Sequence, residues 1–115
     1  MKNQPYFLFI DDIRNLDDVK LLPRRNNENW IVARNSLQAI ELIKQKNLPV
    51  MFSFDHDLGG NDTCMVFLRQ LEAWMLETYP DKLPSCPNFM VHSANPVGKL
   101  NIISFMNSWR KMIEP

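Results

Sequence analysis

The sequence predicts an α/β fold in which a parallel β-sheet lies between layers of helices. Short apolar runs of strand length alternate along the chain with longer segments whose apolar residues recur at helical spacing. The apolar runs are continuous, as is typical of strands that are buried on both faces of a parallel sheet. Such alternation implies right-handed crossover connections between the strands. The 115 residues suit a single domain, and we expect residues 1–115 to form it.

Four apolar runs are the predicted strands. They are "YFLFI" at 6–10, "WIVA" at 30–33, "VMFSF" at 50–54 and "FMVH" at 89–92. The segment between the first two runs contains Pro23 and ends in asparagines, so we expect at most a short helix there. After the fourth run the sequence has room for one helix, and we expect no fifth strand.

Three helices are predicted between and after these strands. The first begins after the N-cap Asn35, which has the capping-box spacing to Gln38, and ends before Pro49. Its inward residues are expected to be Leu37, Ile40 and Ile43. The second spans about 62–78, with an inward stripe of Cys64, Phe67, Leu68, Leu71 and Met75. The third follows the cap Asn95, and its inward residues are expected to be Ile102, Phe105, Met106, Trp109 and Ile113.

Composition excludes several classes of protein. Thirteen basic residues balance thirteen acidic ones, so net charge does not favour nucleic-acid or membrane binding. The two cysteines have neither the spacing of a zinc site nor the density of a disulfide scaffold. The N-terminus lacks the long apolar core and cleavage site of a signal peptide, so we expect a cytoplasmic protein.

Polar side chains follow every predicted strand at its carboxyl end. They are Asp11 and Asp12, then Arg34, then Asp55, His56 and Asp57, and finally His92 and Ser93. In an open parallel sheet, ligands bind beyond the carboxyl ends of the strands. The sequence therefore predicts that these residues converge on one rim, which is the candidate site.

The carboxylates on this rim favour a divalent cation. Adjacent acids from one strand, with another from its neighbour, form the oxygen-rich type of site that suits Mg²⁺ or Mn²⁺. Such an ion would let these aspartates remain ionised together. The alternative is that Asp11, Asp12 and Asp57 only cap helices or form turns, as aspartate often does after a strand.

The motifs "FLFIDD", "FSFDHDLGG" and "VHSA" resemble those of the receiver domains of response regulators. The resemblance implies metal binding by Asp11 and Asp12, a phosphoacceptor at Asp55, and a hydroxyl that senses the phosphoryl group at Ser93. Asp57 occupies the position where that family usually offers a backbone carbonyl to the metal, and we count it with Asp55 among the candidate metal ligands.

Two departures from ordinary receivers point to a subgroup. Receivers have a fifth strand ending in a lysine, and they lack histidines beside the phosphoacceptor and before the Ser/Thr. The motifs "DDIR", "SFDHDLGG" and "HSANPVG" resemble the cyclic-phosphate-processing receiver domains, a predicted enzymatic offshoot from bacterial and phage genomes, over about residues 6–110. This resemblance implies a flavodoxin-like three-layer sandwich with strand order 2-1-3-4 and no fifth strand.

The two histidines suggest acid–base chemistry. Histidine is the residue type whose ordinary pKa lies near neutral pH, so His56 and His92 are candidates to protonate a leaving oxygen and activate water. Asp55 and Ser93 are the other candidate catalytic residues. A metal would clamp the phosphate or lower the pKa of a bound water. The alternative is a structural role, with His56 capping its turn and His92 buried on its strand.

Further polar residues are candidates to bind substrate. The "SANP" turn places Asn95 and the N-terminus of the last helix at the rim, where a phosphate is favoured. Lys99, in the first turn of that helix, is a candidate to replace the missing lysine, although a solvated surface lysine is the commoner case. Arg34 is a candidate to pair with Asp12 or with a phosphate.

Three functions remain open on these grounds. The first is a metal-dependent phosphoesterase acting on the cyclic phosphate of a nucleotide or RNA end. The second is a stand-alone receiver that accepts phosphate on Asp55 and switches a partner. The third is a degenerate receiver that binds a host or partner protein. We expect a small phosphate-bearing substrate, no membrane and no extended duplex nucleic acid.

Overall fold

The computed structural model describes residues 4–19 and 29–113. Its strands are β1 (Phe7–Ile10), β2 (Trp30–Ala33), β3 (Met51–Phe54) and β4 (Asn88–Val91), and its helices are α1 (Ser36–Lys46), α2 (Cys64–Thr78) and α3 (Pro96–Ile113). These bounds lie within two residues of the predicted ones. A short 3-10 helix, Leu16–Asp18, follows β1 as expected, whereas Pro23 lies outside the described residues.

The strands form one parallel sheet in the order β2-β1-β3-β4. This confirms the predicted α/β fold with its receiver-like, flavodoxin-like strand order. The register places Ile10 opposite Ala33 on one side and opposite Phe54 on the other, and Phe54 opposite Val91. The four strands therefore end in one line, so the residues that follow them start from the same edge.

The main core lies between the helices and one face of the sheet. Leu8, Ile10, Phe52 and Phe54 are fully buried there against the helices, and the period of two along each strand identifies a single face. The opposite face carries Phe9, also fully buried, and Trp30, whose ring packs edge-on to that of Phe9. The predicted stripe of α2 is buried throughout. In the α3 stripe Ile102, Met106 and Trp109 are buried, whereas Phe105 and Ile113 are half-buried and pack against the same core.

One predicted core residue is wrong. Leu37 is 64% exposed, and the buried face of α1 consists of Ser36, Ala39, Ile40 and Ile43. These four positions have the i, i+3, i+4, i+7 spacing of one helical face. Leu37 lies about 100° away from Ser36 around the helix axis, so it points to solvent.

In the described part of the chain, none of the helices is both long and apolar enough to cross a membrane.

Candidate active site

The sheet ladder continues one residue past the strands and fixes the start of the site. The backbone N–H of Asp11 donates to Ala33, that of Asp55 donates to Ile10, and that of His92 donates to Phe54, at 2.9–3.1 Å. These three residues therefore have backbones as fixed as the strands themselves. Asp11 and His92, which are 81 positions apart in the sequence, become neighbours at this edge of the sheet.

Asp11 is fully buried and has hydrogen bonds on both carboxylate oxygens. Its Oδ1 accepts the backbone N–H groups of Ile13 at 2.9 Å and Arg14 at 2.7 Å. Its Oδ2 contacts the Arg14 guanidinium at 3.2 Å and the ring of His92 at 2.9 Å. Burial alone would raise the pKa of Asp11, but these hydrogen bonds outweigh it and hold the pKa below its usual value. Asp11 is therefore an ionised carboxylate with hydrogen-bond donors at both of its oxygens.

His92 links Asp11 to Ser53 inside the protein. Its Nε2 faces Asp11, its Nδ1 lies 2.7 Å from Oγ of Ser53, and its ring stacks on Phe9 with a centroid distance of 4.6 Å. Burial lowers the pKa of His92, although the hydrogen bond to Asp11 opposes this, so the ring is neutral at pH 7. Because ionised Asp11 can only accept, Nε2 carries the proton and Nδ1 accepts from the Ser53 hydroxyl.

Asp55 stands beside Asp11 in a different environment. Its side chain is also nearly buried, and both this burial and the charge of Asp11 raise its pKa. The Ser93 hydroxyl and the backbone N–H of His56 donate to it and partly offset that effect. Negative charges are thus crowded at this edge of the sheet, and a further cation would reduce the repulsion between them.

Asp11, Asp12 and Asp55 form a group that fits a metal ion. One carboxylate oxygen from each lies within 4.8 Å of the others, which matches the few-carboxylate sites of hard divalent cations. The turn after β3 passes close to this group, since a Cβ built on Gly59 would lie 3.5 Å from Oδ2 of Asp12. Gly59 itself has φ +93°, a conformation that suits glycine.

A cleft of about 300 Å³ opens over these carboxylates. Its lining residues come from the loops after β1, β3 and β4: Asp11, Asp12, Ile13, Arg14, Asp55, Asp57, Ser93, Ala94 and Asn95. The loops after these strands therefore meet as predicted. Neither His56 nor His92 is in the lining, and their predicted contact with substrate stays a prediction.

Arg14 is the residue that sequence reasoning missed. Its guanidinium lies 3.2 Å from Oδ2 of Asp11 and 3.7 Å from Oδ1 of Asp55, with the side chain 38% exposed at the cleft. The "DDIR" motif contained the signal, because a cation three residues after Asp11 can fold back onto it. Of the four residues in this motif, only Asp11 and Asp12 are predicted site residues.

Asp57, Asn95 and His56 connect the β3 loop to the start of α3. Asp57 is exposed at the rim and accepts from the Asn95 side chain at 3.2 Å, while its other oxygen lies 3.2 Å from Nδ1 of His56. These two hydrogen bonds lower the pKa of Asp57. Asp57 is not one of the three grouped carboxylates, so its role as a metal ligand stays a prediction.

Asn95 and Gly98 shape the N-terminus of α3. The Asn95 side chain accepts from the backbone N–H of Gly98 at 2.9 Å, which confirms it as the cap. Gly98 is buried against the imidazole of His56, and a Cβ at that position would overlap the ring. The absence of a side chain at Gly98 therefore makes room for His56.

Arg34 and Lys99, two predicted substrate-binding residues, lie outside the cleft lining. Arg34 donates to the backbone carbonyl oxygens of Asp11 at 3.3 Å and Arg14 at 2.7 Å, and to the Asn15 side chain. It thus holds the loop after β1. Lys99 is exposed on α3. A direct contact of either residue with substrate stays a prediction.

Comparison with known proteins supports the assignment that these motifs suggested. A search of curated proteins gave no match. The family model described as "Cyclic-phosphate processing Receiver domain" matches residues 6–108, which include all four strands and the whole cleft lining. The chain therefore belongs to the cyclic-phosphate processing receiver domains.

Proposed function

We propose that the protein is a metal-dependent phosphoesterase that opens cyclic phosphates of nucleotides or RNA ends. The observation that carries the proposal is the group of Asp11, Asp12 and Asp55, whose carboxylates approach within 4.8 Å at the floor of a cleft. Family membership supports cyclic-phosphate processing as the activity. The cleft has a volume of about 300 Å³ and is lined by three loops, which favours a small phosphate-bearing substrate.

The three grouped aspartates are the residues that would hold Mg²⁺ or Mn²⁺. Their oxygen ligands suit a hard cation. The raised pKa of Asp55 reflects burial and repulsion from Asp11, which its hydrogen bonds and Arg14 offset only in part. When bound, the ion would supply charge neutralisation for the phosphate oxygens and for the developing negative charge. The two walls of the cleft, Ser93 and Asn95 on one side and Arg14 on the other, would orient the phosphate over it.

The reaction is a hydrolysis. A water oxygen forms a bond to phosphorus, the bond from phosphorus to one ribose oxygen breaks, and a water proton ends on that oxygen, which leaves a phosphomonoester. We assign proton transfer to the pair of Asp57 and His56. Asp57 lines the cleft, and Nδ1 of His56 lies 3.2 Å from its carboxylate, so a proton can pass between the cleft and the imidazole.

His92 has a different role in this proposal. Its ring has a partner at each nitrogen, and its side chain is only 4% exposed. We therefore assign it as a positioning residue that acts through Asp11. Such outer hydrogen bonds orient metal-binding carboxylates and are costly to remove.

The contact between Ser93 and Asp55 favours a second function, a phosphoacceptor switch. Asp55 lies in the cleft beside the hydroxyl that receivers use to sense a phosphoryl group, and that hydroxyl donates to it. Phosphorylation of Asp55 would use the same ion site. We prefer the enzyme because the His56–Asp57 pair supplies a proton-transfer group. A receiver that only holds a phosphoryl group does not need one.

Two assays on the same preparation separate these functions. The first follows a 2′,3′-cyclic nucleotide in the presence of Mg²⁺, and the second follows labelling of the protein by acetyl phosphate. The enzyme predicts turnover that EDTA stops and that His56→Ala and Asp12→Asn abolish. Stoichiometric labelling that Asp55→Asn removes, with no turnover, would establish the switch. Failure of both assays would leave the protein-binding alternative.

A further inference from the structure

Among the described residues that line the cleft, Arg14 is the one positive side chain, against four aspartates. Its guanidinium bridges Asp11 Oδ2 and Asp55 Oδ1, at 3.2 and 3.7 Å. Both aspartates belong to the group that fits a metal ion. Arg14 therefore occupies, as a cation, part of the space in which a divalent cation would find its ligands.

We propose that Arg14 alternates between two anionic partners: the aspartates before metal binding, and the substrate phosphate after it. The inference rests on the proposed function for the identity of the substrate but not for the exchange itself. A divalent ion and the guanidinium compete for the same two carboxylates, those of Asp11 and Asp55. Once the ion takes them, Arg14 loses its partners while it still faces the cleft, and an oxyanion there becomes its best remaining ligand.

The charge balance of the cleft supports this exchange. Among the described residues of the lining, four carboxylates and one guanidinium carry a net negative charge while Arg14 contacts the aspartates, and this charge repels a phosphate. A divalent ion would cancel most of that charge and free a guanidinium whose planar N–H groups match phosphate oxygens. Metal and phosphate should therefore bind cooperatively, with Arg14 as part of the coupling.

The backbone of Arg14 is anchored so that only its side chain needs to move. Its N–H donates to Oδ1 of Asp11 at 2.7 Å, and its carbonyl oxygen accepts from Arg34 at 2.7 Å. The guanidinium end remains 38% exposed. A side-chain rotation is enough to transfer the guanidinium from the carboxylates toward the centre of the cleft. Arg34 thus holds the backbone of Arg14 through this hydrogen bond.

The test measures metal and anion affinity separately in the wild type, Arg14→Gln, Arg14→Lys and the matched control Arg69→Gln, an exposed arginine of α2. Calorimetry gives the affinity for Mg²⁺ alone, and ³¹P NMR gives that for inorganic phosphate at saturating Mg²⁺. Removing Arg14 should strengthen Mg²⁺ binding several-fold, because a competing cation is lost. It should weaken phosphate binding at least about tenfold, the cost of one charge-assisted contact. Arg14→Lys should keep part of the phosphate affinity, and Arg69→Gln should behave as the wild type.

The opposite changes in Mg²⁺ affinity and phosphate affinity distinguish this role of Arg14 from a structural one. If Arg14 only held the fold together, Arg14→Gln would weaken both ligands in parallel, and that outcome overturns the proposal. Unchanged phosphate affinity in Arg14→Gln, or no phosphate binding by the wild type with Mg²⁺, overturns it as well. A different result would contradict the proposed function alone. If the variants bind Mg²⁺ and phosphate as predicted but the wild type does not turn over a cyclic nucleotide, the protein is not a phosphoesterase, and the exchange of partners by Arg14 is still supported.

Discussion

Nε2 of His92 lies 2.9 Å from Oδ2 of Asp11, a contact between residues 81 positions apart in the chain. It joins the ends of two strands, β1 and β4, that are not neighbours in the sheet. Ser53, on β3 between them, completes the connection by its contact with Nδ1. The three strands that surround the candidate metal ligands are therefore tied together by one buried hydrogen-bond chain.

Removing His92 should weaken metal binding. In His92→Ala, Asp11 loses the donor that orients Oδ2, and we expect Mg²⁺ affinity to fall roughly 10- to 100-fold, as for other outer-shell partners of metal ligands. Calorimetric titration measures it. In His92→Gln the amide nitrogen reaches the position of Nε2, so most of the affinity should remain.

The same chain of hydrogen bonds predicts that substitution of Ser53 lowers Mg²⁺ affinity less than substitution of His92. Ser53→Ala removes the hydroxyl that holds Nδ1 of His92 but leaves the contact of Nε2 with Asp11, so Mg²⁺ affinity should fall less than in His92→Ala. Ser104→Ala, at an exposed position of α3, is the control. Equal Mg²⁺ affinities in wild type, Ser53→Ala and His92→Ala would show that these hydrogen bonds do not position Asp11.

Neutralising Asp11 and Asp55 should change stability in opposite directions in EDTA. Asp11→Asn faces the donors of His92 and Arg14 with an amide N–H₂ group, so it should lose about 1–3 kcal/mol of unfolding free energy. Asp55→Asn removes a charge whose raised pKa shows it to be unfavourable, because of burial and the charge of Asp11. It should gain on the order of 1 kcal/mol.

Urea denaturation measures both changes, with Asp81→Asn, on an exposed loop, as the control. Removing one of several crowded carboxylates relieves repulsion, but at Asp11 the loss of its hydrogen bonds outweighs that gain. Equal shifts in the two variants would contradict the assigned environments.

The buried His92 should make the metal-free protein less stable as pH falls below neutral. Burial lowers its pKa in the folded state, partly opposed by Asp11, whereas the unfolded chain binds the proton near pH 6.5. The contribution is therefore fully present above about pH 6.5 and is lost as pH falls toward the lowered value. The stability difference between wild type and His92→Gln should shrink over this range, as measured by urea denaturation at several pH values. A difference independent of pH would argue against a neutral, buried imidazole.

Gly98→Ala should destabilise the protein although alanine favours helices. Its Cβ would overlap the His56 ring and lie 2.7 Å from the Cβ of His56, and such overpacking costs about 1–3 kcal/mol. Thermal unfolding measures the loss, with Asn107→Ala as a control for helix propensity at an exposed site of α3. Adding His56→Ala removes the ring, so the double variant should lose less than the sum of the single losses. Strict additivity would place the strain elsewhere.

The sequence predicted the framework of the site because strand ends in a parallel sheet must share an edge. Asp11, Asp55 and His92 follow apolar runs directly, so their meeting needed only the strand order. The prediction that Leu37 faces inward was wrong because it depended on the large apolar residues of α1. The buried face also includes the small residues Ser36 and Ala39.

The contacts of Arg14 and Ser53 could not be predicted in the same way. Arg14 lies in a loop, where no periodicity fixes the direction of a side chain. Ser53 lies within an apolar strand, where a serine does not signal function. The partners of His92 depend on side-chain geometry across three strands, whereas the pattern indicated only that it followed a strand.

The most direct test of the central claim is a Mn²⁺ titration followed by NMR relaxation of the backbone amides. The account predicts one saturable site, with broadening centred on Asp11, Asp12 and Asp55 and extending to Ser93 and Asn95, and its loss in Asp12→Asn. Broadening centred on another part of the molecule, or no saturable binding, would contradict a metal site at the carboxyl ends of the strands.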